Sequence, residues 1–261
     1  MDLNTVTDVV SPAAPGSWRP GDAWLGGGTA LFGEPRTGVR RLLDLTAAGW
    51  PALTAHDDGG VEIAATCTVA ELHERLGRHT LVRQCCHAFL ASFKIWNVAT
   101  VGGNLCAALP AGPMISLSVA LDATVLLIGP DGVQRRVPAA DFVTGEGTTV
   151  LRDGELLRSI HLPPGAFAGR YAYRRGSLHR HGRSAALLIG RQAGASFALT
   201  VTASTRRPHV LRFDAPPRPT ELAAALAALP ADGYVHDVHG HPLWRQHLTR
   251  HYAAQILAEL S

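Results

Sequence analysis

The chain has 261 residues, of which 46% are hydrophobic and 17% charged, and carries a formal charge of +3. That length suits two domains better than one, and that composition predicts a soluble globular protein rather than a disordered chain. No apolar run approaches the roughly 20 residues that cross a bilayer, and Met1-Asp2-Leu3-Asn4 lacks the basic, then apolar, start of an export signal, so a cytoplasmic location is expected.

The first twenty residues, rich in Pro, Ser, Gly and Ala, predict a loose arm. Trp24-Leu25 is a short apolar run that Gly26-Gly27-Gly28-Thr29 interrupts; successive glycines let a chain approach a ligand closely. Strands are predicted at Arg41–Leu45 and Val61–Ala65, the second after the turn Asp57-Asp58-Gly59-Gly60. Thr68, with Glu71 three residues on, has capping-box spacing and opens a helix. Another helix is expected over Leu81–Ala91, then a second glycine-rich turn, Val101-Gly102-Gly103-Asn104. Met114–Ala123 predicts a helix, and Val125–Ile128 with Val133–Val137 a hairpin about Gly129-Pro130-Asp131-Gly132. Leu156–Leu162 predicts a strand, and Pro163-Pro164-Gly165 marks a domain boundary. Beyond it come Tyr171-Ala172-Tyr173, Ala185–Gly190 and Phe197–Thr202, a helix over Thr220–Ala228 and a terminal helix from about Pro242 to Leu260. The irregular alternation of strands and helices favours an α+β fold over a doubly wound sheet.

Several chemistries lack support. The basic run Arg170, Arg174, Arg175, His179, Arg180, His181 and Arg183 has no interleaved aromatic residues, so no nucleic-acid partner is expected. Cys67, Cys85, Cys86 and Cys106 have neither zinc nor iron–sulfur spacing and read as buried reduced thiols. His236, His239 and His241 lie in a turn-rich segment without a metalloprotease arrangement, and no metal ligands are nominated. Ser177, Ser184 and Ser204 have no nucleophile-elbow context. No catalytic acid, base or nucleophile is assigned.

The glycine segments are neither a Walker A loop, for want of a following Lys-Ser/Thr, nor a Rossmann fingerprint. Each alone is compatible with a structural turn. As a pair, each ending in a small polar residue (Thr29, Asn104), they suggest backbone nests for a pyrophosphate.

The run Ala99-Thr100-Val101-Gly102-Gly103-Asn104-Leu105-Cys106, followed by Leu121-Asp122-Ala123 and Val137-Pro138-Ala139-Ala140-Asp141-Phe142, resembles the FAD-binding (medium) subunit of molybdenum hydroxylases. That family includes the medium subunit of aerobic carbon monoxide dehydrogenase and the FAD domain of xanthine dehydrogenase. Leu25–Thr29 is similar to the family's first flavin loop, Glu155–Ile160 to its domain-closing strand and, more loosely, Asp237–Arg245 to the segment opening its last helix. The resemblance implies a two-part FAD-binding domain of the vanillyl-alcohol-oxidase (PCMH) type over residues 1–165, and a smaller α+β domain over 166–261. It implies FAD held by Leu25, Gly26, Gly27, Gly28, Thr29 and Ala30, by Thr100, Val101, Gly102, Gly103 and Asn104, and by Leu157 and Arg174. It further implies an electron-transfer role between a [2Fe-2S] small subunit, itself served by a molybdenum-containing large subunit, and an external acceptor. Four positions depart from the family pattern: Ala30 and Pro113 where acidic or polar residues are usual, Trp96 for an arginine, and Arg174 or Arg175 for a lysine. These departures leave the backbone donors in place. They keep open a stand-alone flavin oxidase or dehydrogenase, and an assembly or scaffold relative without FAD.

Overall fold

The computed structural model describes residues 5–11, 18–33 and 35–261. The expected arm lies partly outside that range; within it, β1 (Asp8–Val10) is a strand. It forms a parallel three-stranded sheet with β2 (Asp22–Leu25) and β3 (Arg41–Asp44), β3 in the middle. The chain continues through β4 (Leu53–Ala55) and β5 (Val61–Ala64) to α1 (Val69–Leu76), α2 (Thr80–Ala88) and α3 (Phe93–Trp96). Next come α4 (Val101–Ala107), α5 (Pro113–Ala120), the hairpin β6 (Thr124–Ile128) and β7 (Gln134–Pro138), and α6 (Ala139–Phe142). A small ribbon of β8 (Val143–Gly145) and β9 (Thr148–Thr149) precedes β10 (Leu156–Leu162). β10 inserts between β5 and β6, giving a five-stranded sheet in the order β4-β5-β10-β6-β7.

The local signals act as expected at several of these elements. The Thr68 hydroxyl accepts from Glu71 N–H while the Glu71 carboxylate accepts from Thr68 N–H, so both strands of the capping box are present at α1. α2 stops at Ala88, short of the expected Ala91, where Leu90 takes φ 48° and cannot continue a right-handed helix. All eight residues of α5 are buried, as its apolar content requires.

The remaining chain forms an antiparallel meander, β11 (Arg170–Gly176), β12 (Ala186–Ala193), β13 (Ser196–Thr202) and β14 (His209–Phe213), followed by α7 (Pro219–Ala227) and α8 (Pro242–Leu260). The strand at His209–Phe213 was not anticipated. β12 is buried on both faces: Leu187 and Ile189 join the core of the first two-thirds of the chain, while Ala186 and Leu188 pack with Ile256 and Leu260 of α8. Period-two alternation thus places one strand between two cores. Arg170 donates to the Glu259 and Leu260 carbonyls, placing a cation at the negative end of α8. The basic run is therefore partly used in packing.

Two ion pairs brace the sheets. Arg41 meets Asp22 at 2.5 Å, joining β3 to β2, and Arg135 meets Glu155 at 2.7 Å, with Glu155 also accepting from Arg152 N–H. These hydrogen bonds from Arg41 and Arg135 hold both carboxyls below their usual pKa. A carboxyl depressed in the folded state binds its proton more readily when unfolded, so it stabilises the fold above the ordinary carboxylate pKa of about 4. That contribution is lost as pH falls through the lowered folded values. We expect the urea midpoint to drop on acidification below about pH 4, with a shallower drop in D22N and E155Q. Parallel profiles for all three proteins would contradict the assignment.

Candidate functional site

β2 and β3 run parallel, and the carboxyl end of β2 delivers the chain into Gly26-Gly27-Gly28. Open parallel sheets present ligands at this end of their strands. Among the described residues, the N–H groups of Gly26, Gly27, Gly28, Thr29 and Ala30 donate to no protein acceptor, and Thr29 and Ala30 are exposed. The loop closes downstream, where Phe32 N–H donates to the Gly28 carbonyl. The result is a run of adjacent, unengaged backbone donors.

The second glycine segment differs from the expected turn. Thr100 is the N-cap of α4, and Val101, Gly102, Gly103 and Asn104 form its first turn. Their N–H groups are already used: Val101 donates to the Cys67 carbonyl, Gly102 to the Ala65 carbonyl, Gly103 to the Thr100 hydroxyl and Asn104 to the Thr100 carbonyl. An N-cap of this kind contributes about 1 kcal/mol. Gly102 is needed for packing, since a Cβ there would stand 2.5 Å from the Ala65 Cβ and 2.7 Å from its Cα. In the observed conformation this segment's N–H groups therefore have acceptors within the protein, unlike those of the first loop. The Thr100 hydroxyl hydrogen, by contrast, has no acceptor among the described residues.

The structure brings the two segments together. A Cβ on Gly26 would lie 3.1 Å from the Thr100 Oγ1, and one on Gly27 would overlap the Val98 carbonyl oxygen and stand 2.5 Å from its carbon. The triple-glycine loop lies flat against Val98–Thr100 only because side chains are absent. Five free N–H donors beside a free hydroxyl hydrogen suit a dianionic diphosphate without a lysine.

Other expected contacts are placed elsewhere. The Asn104 side chain accepts from Met114 N–H at 3.0 Å, capping α5 across the chain. Pro113 is the buried first residue of α5 and offers no polar group. The Leu157 side chain is buried in the core at 3% exposure, leaving only its backbone for a ligand. Arg174 donates to Gln255 at 2.8 Å and pairs with Glu259 at 2.6 Å, so it belongs to α8 and not to the glycine loops. Strand alternation explains this, because Arg174 shares its face with Ala172 and Gly176, which pack against α8.

The opposite face of β11 carries Arg175, the alternative to Arg174, and Tyr173, to which the sequence assigned no role. Tyr173 and Arg175 line an open cleft with Gln84, His87 and Ala88 of α2. The Tyr173 hydroxyl is buried without a hydrogen-bond partner, and burial pushes its pKa up. His87 continues into a ring cluster with Trp96 (5.7 Å) and His73 (5.5 Å), in which Trp96 Nε1 and His73 Nε2 also lack partners. Buried polar atoms are rarely left unpaired, so the Tyr173 hydroxyl is a group at this cleft that a ligand could satisfy. His236 and His241 contact each other edge to face at 5.3 Å, but His236, His239 and His241 do not converge on a common point. No helix among the described residues is long and apolar enough to cross a membrane.

Comparison with known proteins agrees with this geometry. Residues 16–165, more than half of the chain, match the family model described as the FAD binding domain in molybdopterin dehydrogenase. Xanthine dehydrogenase 2 of Arabidopsis thaliana is 32% identical over 154 residues, covering 51% of this chain and 11% of that protein. The xanthine dehydrogenase FAD-binding subunit of Escherichia coli O157:H7 is 31% identical over 128 residues, covering 48% of this chain and 44% of the relative. These matches therefore span less than half the length of the curated relatives. Quinoline 2-oxidoreductase from Pseudomonas putida 86 superposes with a TM-score of 0.80 at 19% identity, covering 100% of this chain and 98% of that chain. Carbon monoxide dehydrogenase from Oligotropha carboxidovorans gives 0.76 at 23% identity, covering 92% and 91%. The chain belongs to the family of FAD-binding domains of molybdopterin dehydrogenases, and FAD is the cofactor that family binds.

Proposed function

We propose that this chain is the FAD-binding electron-transfer subunit of a molybdenum hydroxylase, receiving electrons from an iron–sulfur partner and passing them to an external acceptor. The single observation that carries the reading is the row of unengaged N–H groups from Gly26 to Ala30 set against Thr100. We assign the FAD pyrophosphate to that row, with the Thr100 hydroxyl as a further donor, within a PCMH-type domain over residues 1–165. The domain over residues 166–261 closes on it through β11. FAD, when bound, supplies two-electron redox chemistry, and the protein supplies position, electrostatics and access.

The chain's own groups then have defined tasks. Gly26–Ala30 and Thr100 neutralise the diphosphate; Gly102 keeps α4 tight against Ala65, so that Thr100 is held in place. The cleft of Gln84, His87, Tyr173 and Arg175 is our assignment for the polar edge of the flavin ring. Arg175, the alternative to Arg174, already donates to the Ser184 hydroxyl and the Gly182 carbonyl and would offer its remaining Nη1. Backbone donors also bear on the Ala30 and Pro113 departures, because they bind phosphate whatever side chain stands beside them. For the partner, support comes from Phe93, Val98, Ile95 and Leu90, which are 74%, 44%, 37% and 38% exposed around the segment that meets Gly27. An apolar cluster of this kind marks an interaction surface.

Purification of the tagged chain from its own organism tests the role. The expected result is stoichiometric recovery with a molybdenum-containing polypeptide and a [2Fe-2S] polypeptide. A FAD-loaded monomer that oxidises a substrate unaided would support a stand-alone flavin enzyme instead, and a colourless assembly would support the scaffold alternative.

A further inference from the structure

Two side chains of the β4–β5 hairpin, His56 and Glu62, meet the distant His161 on one face of the five-stranded sheet. Glu62 of β5 lies directly opposite His161 of β10, and Thr54 of β4 also pairs with Glu62. His56 follows β4 two residues after Thr54, so period-two alternation puts it on the same face. The Glu62 Oε2 lies 3.2 Å from His161 Nε2 and 3.6 Å from His56 Nε2, and the three potential ligand atoms all lie within 4.8 Å of one another. The imidazoles stack with centroids 5.6 Å apart, both presenting nitrogen to the same carboxylate oxygen.

We propose that His56, Glu62 and His161 form a zinc-class divalent metal site that clamps the β4–β5 hairpin to β10. Ligand–metal distances of about 2.0–2.2 Å imply ligand–ligand edges of about 3.3–3.6 Å in a tetrahedron, close to the two Glu62–histidine separations of 3.2 and 3.6 Å. Two imidazoles with one carboxylate are a borderline donor set that suits zinc, cobalt or nickel better than magnesium or calcium. Three protein ligands leave the fourth position to water.

The surroundings set the carboxylate and oppose the charge. The Arg158 guanidinium, stacked on Trp50 at 4.2 Å, reaches the other oxygen, Glu62 Oε1, at 3.4 Å. This ion pair involves Oε1 and leaves Oε2 for the histidines. Arg158 and Arg136 both place positive charge near His161, which limits affinity. Ser159 Oγ lies 3.2 Å from His161 Nε2 and gives up that contact when a metal takes the nitrogen.

The test is a Co2+ titration of the untagged full chain, followed by visible absorption and then by Zn2+ displacement. The expected result is one Co2+ per chain, the spectrum of a low-coordinate ion without a thiolate charge-transfer band, and displacement by Zn2+. H56A and H161A are each expected to weaken binding by at least about 100-fold, while the metal-free chains melt as the parent does; H56N guards against a folding defect in H56A. Failure to bind Co2+ stoichiometrically, unchanged affinity in both histidine variants, or a thiolate band abolished by C106S would each overturn the proposal.

Discussion

Gly27→Ala is expected to remove most of the bound FAD. The added methyl would occupy the space of the Val98 carbonyl oxygen, a backbone atom that cannot swing aside like a flexible side chain. Relief requires the loop to lift from Val98–Thr100, which separates its N–H donors from the Thr100 hydroxyl. Overpacking of this kind costs about 1–3 kcal/mol, or roughly 5- to 150-fold in FAD affinity if it falls on the cofactor-binding loop. Gly33→Ala is the matched control, since a Cβ there meets nothing within 4 Å. Equilibrium dialysis with FAD reads both variants. Equal loading of G27A, G33A and the parent would remove the loop from the site.

The largest expected loss of stability belongs to Arg245→Met. Arg245 is 1% exposed, yet its guanidinium donates to the carbonyls of Ala185 (2.9 Å), Ala203 (2.8 Å) and Gly240 (3.2 Å) and pairs with Asp237. One side chain thereby ties the start of α8 to the segments flanking β12 and β13. Methionine fills much of the volume, and the Asp237 carboxylate, partly exposed, returns to water. Three carbonyls are stranded, at about 1–3 kcal/mol for each buried group left unpaired, so a loss of about 3–5 kcal/mol is expected. For a chain of this size that corresponds to a melting temperature lower by about 6–20 °C. Lysine should not restore it, because one ammonium cannot reproduce the planar fork. Differential scanning calorimetry of R245M and R245K measures the effect; melting within a degree or two of the parent would contradict it.

Much of the fold is legible wherever a local rule and the tertiary environment agree. Thr68 and Glu71 announce α1 because their bonds are made inside one turn. The 129–132 turn announces the β6–β7 hairpin, and Pro242 begins α8 at the position where proline costs a helix nothing. The failures have equally specific causes. Gly102 and Gly103 lower helix propensity and suggested a turn, but the Thr100 cap and close packing on Ala65 win. His209–Phe213 is only five residues long and becomes a strand by pairing with β13.

The site was legible to a different degree. The motif from Ala99 to Cys106 led to the correct cofactor, and Gly26–Thr29 to a loop with open donors. Asn104 and Arg174 were expected at the ligand but are engaged with Met114 and with α8, because those partners lie ten and more than eighty residues away. The encounter of His56, Glu62 and His161 depends on the register of β10 against β5, which no local pattern states. Counting alternate positions along β11 from Ala172, whose small side chain marks the packed face, separates Arg175 from Arg174 and would also have found Tyr173.

We assign FAD on this chain to Gly26–Ala30, lying against Thr100. The visible spectrum of the purified protein, with the released cofactor identified by chromatography, tests this. A yellow protein with flavin absorbance at about 450 nm and roughly one FAD per chain is expected. A folded protein that is colourless, and stays so after incubation with excess FAD and removal of the unbound cofactor, would contradict it.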